Sequence, residues 1–293
     1  MNNILILGAS GMLGSTLMKH FSEQPNFNVY GTIRSRNSLP NFKSNLRSKL
    51  LSDINMDSVD SLISAFNEAK PNIVVNCVGL VKQLSSSENP LITLPINSIL
   101  PHRLAEICSA TNARLIHLST DCVFSGTKGM YTELDTPDAS DLYGLSKRLG
   151  EVAYDNTITL RTSIIGHELN GQRSLINWFL AQEGTIKGFS KAIFSGLPTI
   201  EIARIIEKYI IPYPKLKGLY HVSAEPIDKF SLLKLVAKIY NKNIKIKEDN
   251  SLKIDRSLDS SLFRKETGYI PPSWPDLISE MFCFQKANNM EKD

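Results

Sequence analysis

Among the 293 residues of this chain, those with the clearest chemical potential lie in DLYGLSKRLGE, residues 141–151. Tyr143 and Lys147 stand four apart there, a spacing that puts both on one face of a helix, about 5–6 Å apart at Cβ. A free tyrosine has a pKa of about 10, and bringing it near 7 takes about 4 kcal/mol. One ammonium 4 Å away supplies about 1 kcal/mol in water but about 4 kcal/mol at an effective dielectric of 20. The pair is therefore useful only in a partly dried cleft and would be inert on an exposed helix. Upstream, LIHLSTDCVFSG (115–126) offers a partner. Its apolar run ends in Ser119, Thr120 and Asp121, and a Thr120 hydroxyl could hold a carbonyl oxygen while Tyr143 protonates it. A helix cap at Ser119 and a core role for Tyr143 are the ordinary alternatives. No histidine is placed by motif to activate Cys122, which argues against a nucleophile.

A second group of residues fits phosphate binding. GASGMLG (8–14) directly follows the apolar run NILIL (3–7) and opens a helix-like pattern. Gly8 permits a sharp turn, Gly11 lets a pyrophosphate approach the backbone, and Gly14 lets the helix lie close to the strand. Ser10, Met12 and Leu13 complete the expected cradle, where helix N–H groups and the positive dipole end meet the phosphates. The alternative is a plain tight turn. The second strand candidate ends GTIRSR, without the carboxylate that commonly binds the ribose hydroxyls of NAD. Arg34 and Arg36 suit a 2′-phosphate instead, so NADPH is expected over NADH, unless these arginines only solvate a loop. Asp53 and Ile54 follow the third strand and are expected near the adenine, although Asp53 as a helix cap is equally simple. Cys77, Val78 and Gly79 end the fourth strand and are expected along the cofactor.

These groups need elements to hold them. Apolar runs at 3–7, 28–34, 48–52, 72–79, 114–120 and 157–163 alternate with helix candidates at 12–22, 57–69, 97–111 and 141–155. Such alternation predicts an α/β fold, a doubly wound parallel Rossmann sheet with helices on both faces and right-handed crossovers. Ligands then bind beyond the carboxyl ends of the strands, the end shared by the glycine turn and Thr120. Beyond about residue 165 the rhythm loosens: a helix lies within 194–210, a strand at 219–223 and a helix at 229–240, while 268–274 reads as a proline-rich loop. The expected division is a cofactor-binding domain over 1–165 and a smaller, interleaved α/β substrate lobe over 166–293.

Composition excludes several classes. The net charge of +4 is mild, and the densest lysine group, KNIKIKED (242–249), alternates with isoleucine as a half-buried strand does. A nucleic-acid partner is therefore not expected, and no apolar run reaches the ~18 residues of a membrane span. Cys77, Cys108, Cys122 and Cys283 lie far apart with no C-x-x-C, so neither a metal site nor a disulfide framework is expected. A reducing cytoplasm fits best, and the reading allows a homodimer.

GASGMLG, STDCVFSG and YGLSK, in this order and spacing, resemble the extended short-chain dehydrogenase/reductases and, within them, the dTDP-4-dehydrorhamnose reductase family. The likeness extends to NSILPHRLAEIC (97–108), LRTSIIG (160–166) and DRSLDSSLF (255–263). It implies hydride transfer between NADPH and C4 of a nucleotide-linked 4-keto-6-deoxysugar. By that resemblance Tyr143 is the proton donor, Lys147 holds the nicotinamide ribose and lowers the tyrosine pKa, and Thr120 bonds the carbonyl oxygen. Asp121 then lies beside the sugar and Asn97 supports the lysine through water. The family often has tyrosine where Cys122 stands and an aromatic residue where Ile164 stands, and both positions line the expected sugar pocket. Lys82 and Gln83, in the loop 79–90, are the expected polar contacts to substrate, or else a solvated loop. Epimerases and dehydratases on the same scaffold, and a non-catalytic NADP-binding regulatory subunit, are the competing readings.

Overall fold

The computed structural model describes residues 2–81 and 85–290. Six strands, β1 (Asn2–Leu7), β2 (Phe27–Thr32), β3 (Leu50–Leu51), β4 (Ile73–Asn76), β5 (Arg114–Thr120) and β6 (Thr157–Thr162), form one sheet with the later strand Gly218–His221. The order is β3-β2-β1-β4-β5-β6 followed by 218–221. Every neighbouring pair is parallel. From β1 the chain crosses outward to β2 and β3, then returns past β1 to β4 and proceeds the other way, and this reversal opens a crevice between β1 and β4 at their carboxyl ends, where ligands of such sheets bind.

The strands are apolar on both faces because both faces are covered. Ile4 and Ile6 enter one cluster with Leu13, Leu17 and Phe21 of helix α1 (Met12–Ser22), whereas Leu5 and Leu7 enter another with Leu62, Leu104 and Leu115. Residues 218–221 lie beyond 165 in the chain yet extend the large sheet beside β6. Strand Lys245–Asp249 pairs in parallel with Thr185–Phe189, so the lysine-rich segment is a strand.

Three elements differ from expectation. The helix expected over 97–111 begins at Pro90 and runs through a π-turn, Pro95–Ile99, into helix Leu100–Ala110. Pro101 has no N–H to give the Asn97 carbonyl, which fits a widened turn there. The helix expected over 141–155 is only Leu142–Leu149. The chain beyond it is drawn to the sheet: the Thr159 hydroxyl donates to Val152 O at 2.7 Å and accepts from Val152 N at 3.2 Å. Finally, a C-terminal helix, Trp274–Met290, follows the proline loop. Ser273 starts it by accepting from Asp276 N at 3.4 Å, and Pro275 sits in the first turn, where a missing N–H costs nothing.

Candidate active site

The glycine turn is built as its sequence requires. Gly8 has φ +79°, and a Cβ there would lie 3.0 Å from Val78 Cγ2. A Cβ on Gly14 would strike the Gly8 carbonyl and lie 2.9 Å from Ala9 Cα, so α1 can pack this close only without one. Gly11 is different. A Cβ there would meet only Gly8 O, at an ordinary 3.4 Å. Nothing in the protein itself demands glycine at this position, whereas a ligand laid on the backbone would. Gly11 is also the N-cap of α1, makes no side-chain cap, and is followed by no acidic residue in the first turn. The free N–H groups of that turn therefore suit an anion. The turn is tied to β2 by Thr32, whose hydroxyl accepts from Gly8 N at 3.1 Å and whose carbonyl accepts from Ala9 N at 2.9 Å.

Beyond β2, Arg34 and Arg36 are both exposed. Arg36 Nε donates to Asp53 Oδ2 at 2.7 Å, so the structure joins two of the expected cofactor residues to each other. Asp53 holds a left-handed φ of 62°. Ile54 is buried beside it, its N–H donating to Ile33 O at 3.2 Å. Val78 N donates to Asn76 Oδ1 at 3.0 Å, fixing the chain as it leaves β4. Cys77 is half-buried, and burial pushes its thiol pKa up.

Tyr143 and Lys147 lie on helix Leu142–Leu149, capped by Asp141, whose carboxylate accepts from Gly144 N at 2.9 Å. Gly144 lets this helix touch the turn after β5: a Cβ there would lie 2.5 Å from Cys122 O. Thr120, Asp121 and Lys147 are buried. The Thr120 hydroxyl donates to Asp121 Oδ1 at 3.1 Å and accepts from Cys122 N at 3.1 Å, and it lies near enough to the Tyr143 phenol to favour its ionised form. A Cβ on Gly79 would lie 4.0 Å from Lys147 Nζ, which places the end of β4 beside the lysine. The Lys147 ammonium donates to Leu118 O at 2.7 Å.

The electrostatics of the protein alone differ from the simple tyrosine–lysine pair. Burial pushes the Tyr143 phenol up, and Cys122, Asp121 and Asp141 act the same way, while contact with Thr120 opposes them. Burial lowers Lys147 to about 8, against the pull of Glu151 and Cys77. Burial and the neighbouring Asp121 push the Cys122 thiol up to about 12, far from a reactive thiolate. Burial also raises the Asp121 carboxyl, with Thr120 and Arg256 working against it.

The Asn97 amide and the Lys147 ammonium flank the same point beside Gly79, where a Cβ would lie 3.5 Å from Asn97 Oδ1 and 4.0 Å from Lys147 Nζ, and the amide has direct partners of its own. Its Oδ1 accepts from Leu80 N at 2.9 Å, and its Nδ2 donates to Leu80 O at 3.1 Å and to Ser146 Oγ at 3.1 Å. It thus clamps the chain after β4 to helix Leu142–Leu149. Ile164 pairs with Leu197 just after β6 and is half-buried against the large apolar cluster. Lys82 and Gln83 lie outside the described residues.

Sequence reading missed Arg256, although it stands in DRSLDSSLF. Its Nε donates to Phe124 O at 2.9 Å and its NH1 to Cys122 Sγ at 3.6 Å, which puts a guanidinium beside Asp121 and Cys122. The segment docks there because Asp255 N donates to Gly126 O at 2.7 Å and Tyr131 N to Ser257 O at 2.9 Å. Glu151 and Arg161 were missed as well. They form a buried ion pair at 2.7 Å, and Glu151 Oε1 also accepts from Ser119 Oγ at 2.6 Å.

Residues 1–282 match the family described as "RmlD substrate binding domain". The chain belongs to this family. A dTDP-4-dehydrorhamnose reductase of Aggregatibacter actinomycetemcomitans is 29% identical over 238 residues, 77% of this chain and 74% of that one. Methionine adenosyltransferase 2 subunit beta of Xenopus laevis is 26% identical over 258 residues, 81% of this chain and 72% of that one. The crystal structure of a Bacillus anthracis dTDP-4-dehydrorhamnose reductase in complex with NADP superposes with a TM-score of 0.78 at 21% identity, covering 97% of this chain and 99% of that one. The expected extended short-chain reductase kinship, the Rossmann-like sheet and the class of nicotinamide-dependent oxidoreductase agree with this membership. No helix of the described residues is long and apolar enough to cross a membrane.

Proposed function

We propose that this protein is an NADPH-dependent reductase of the C4 keto group of a nucleotide-activated 4-keto-6-deoxysugar. The observation that carries the reading is the convergence of Thr120, Tyr143 and Lys147 at the sheet end that also holds an uncapped, glycine-cradled helix N-terminus. Arg34 supplies the cation for a 2′-phosphate, since Arg36 already shares its charge with Asp53. The reduced nicotinamide, when bound, supplies the hydride. The protein's own work is then positional and protic. Thr120 orients the substrate carbonyl oxygen, and Tyr143 transfers its phenolic proton to that oxygen as the carbonyl becomes an alcohol. The Lys147 ammonium lowers the cost of the resulting phenolate.

For the sugar we favour a UDP-linked 2-acetamido-2,6-dideoxy-4-hexulose over dTDP-4-dehydrorhamnose. Cys122 and Ile164 stand where the family tends to place aromatic rings, and Lys82 and Gln83, outside the described residues, are the sequence's candidates for polar contact with an acetamido group. Enzymatically prepared 4-ketosugar nucleotides, followed by NADPH absorbance, test the reaction. Comparing kcat/KM for the two substrates tests the sugar; faster turnover of dTDP-4-dehydrorhamnose removes the pocket argument and leaves the reductase reading standing. Gln83→Ala is expected to narrow any preference for the acetamido sugar. The relative named as a methionine adenosyltransferase subunit favours a second reading, a non-catalytic regulatory chain; absence of turnover with every ketosugar would select it. A nucleus of deoxysugar and surface-polysaccharide synthesis, in the cytoplasm, is the setting this chemistry suits.

A further inference from the structure

A second hollow lies away from the sheet end. A cavity of about 120 Å³ opens between α1, the segment 41–46, residues 167–169, helix Thr199–Ile205 and the C-terminal helix. Among its described lining residues are none of the glycine turn, and none of Thr120, Tyr143 and Lys147. It runs along the flank of α1, where Thr16 and Lys19 face it, and not at the end of that helix. Lys19 stands about 12 Å along the helix axis from Gly11, at about 1.5 Å per residue.

The lining carries an excess of positive charge. Lys19 reaches the cavity from α1 and Lys43 from the segment 41–46. Lys19 is buried, with its Nζ 4.9 Å from the centre of the Phe284 ring and 3.9 Å from Glu23 Oε1. Burial lowers its pKa, and the Lys43 charge lowers it further against the pull of Glu23. The carboxylate among the described lining residues is Glu168, and it is turned to another task. Its Oε2 accepts from Arg173 N at 2.8 Å and from Ser174 N at 3.1 Å, ahead of helix Leu175–Ala181. His167 adds no charge near neutral pH, since burial lowers its pKa to about 4. The remaining wall is mixed. The Thr16 and Thr199 hydroxyls lie 2.9 Å apart on one side, and Phe42 and Phe284 give it an apolar part.

Size limits the occupant. An apolar cavity of about 150 Å³ holds benzene, so a slightly smaller one takes a few heavy atoms and neither a dinucleotide nor a nucleotide sugar. Charge then sets its sign, because an anion relieves two ammonium groups that face one partly dried space.

We propose that this cavity binds a compact oxyanion, the phosphate or carboxylate group of a small metabolite, with Lys19 and Lys43 as its cations and Phe42 and Phe284 against the rest of the molecule. The site is separate from the cofactor cradle and does not depend on the reductase reading.

The test is an NMR titration of the 15N-labelled full chain at constant ionic strength with NADPH present. The probes are inorganic phosphate, standing for a phosphorylated metabolite, and butyrate, standing for a short-chain carboxylate. Amide signals of residues 15–19 and 41–43 should move and saturate. Binding of either probe there supports the site, and the tighter one names the group it prefers. Lys43→Met, at a half-buried position, should weaken that binding about tenfold or more, the loss of one charge-assisted bond. Lys19→Met should act alike; if it does not fold, Lys43→Met decides. Three results would each overturn the proposal: no saturable shift with either probe, shifts confined to residues 8–14, or native affinity in Lys43→Met.

Discussion

The helix that carries Tyr143 lies against the turn after Thr120 by an absence, since Gly144 has no side chain to push it away from the Cys122 carbonyl. Tyr143→Phe keeps the ring and removes the proton. General acid catalysis is typically worth ~10²–10⁴-fold, so kcat should fall by about that factor while NADPH affinity, read by fluorescence titration, is retained. More than half of wild-type turnover in this variant would remove the residue from its role. Arg34 is exposed at the end of β2, next to an Arg36 already paired with Asp53. Arg34→Ala should weaken NADPH about 10- to 150-fold, the value of one charge-assisted bond, and hardly affect NADH. Equal weakening of the two cofactors would show that Arg34 reads no 2′-phosphate.

At the scale of elements, β1 and α1 work as one unit. The helix lies so close to the strand that any side chain at residue 14 meets the Gly8 carbonyl. Gly14→Ala must therefore shift α1, at a cost of about 1–3 kcal/mol for overpacking, and with it the N–H groups offered to a pyrophosphate. The expected outcome is a lower Tm together with weaker NADPH binding; a variant with native Tm and native Kd would show that the close packing is not needed. Helix Leu142–Leu149 is placed in a similar way from its other side. The Ser98 hydroxyl donates to Ser146 O at 2.8 Å, and Asn97 joins Ser146 to the Leu80 backbone. Both residues lie in the π-turn Pro95–Ile99.

Across the whole molecule, a buried polar network crosses from Ser119, at the end of β5, through Glu151 and Arg161 to His221, whose Nδ1 lies 2.9 Å from Tyr131 O. His221 has no exposed surface, and burial, with Arg161 adding to it, lowers its pKa to about 4. Its unfolded value is near 6.5. Between those two pH values the unfolded chain binds the proton that the folded chain refuses, so stability falls as pH drops from about 6.5 to about 4, by up to about 3 kcal/mol for this one group. Thermal melts over that range should show the fall, and His221→Gln should flatten it; parallel curves for the two proteins would assign the acid sensitivity elsewhere.

The α/β alternation, the glycine turn and the Tyr143–Lys147 spacing were legible in the sequence because each depends on residues close in the chain. β5 runs over the very residues 114–120, and α1 over 12–22, since strand and helix periodicities are local properties. The helix of Tyr143 was read too long because its end is not local: the segment 151–152 is claimed by Ser119, Arg161 and Thr159 on neighbouring strands. Arg256 was invisible as a site residue for the same reason. Its place beside Cys122 depends on a segment more than 130 residues later in the chain docking on the loop after β5. Sequence alone thus determined which groups could do the chemistry and which elements would carry them. Tertiary structure decided which polar groups meet: Arg36 with Asp53, Asn97 with Leu80 and Ser146, and Glu151 with Arg161 and Ser119. Such pairings are set by strand order and burial, and no local pattern encodes either.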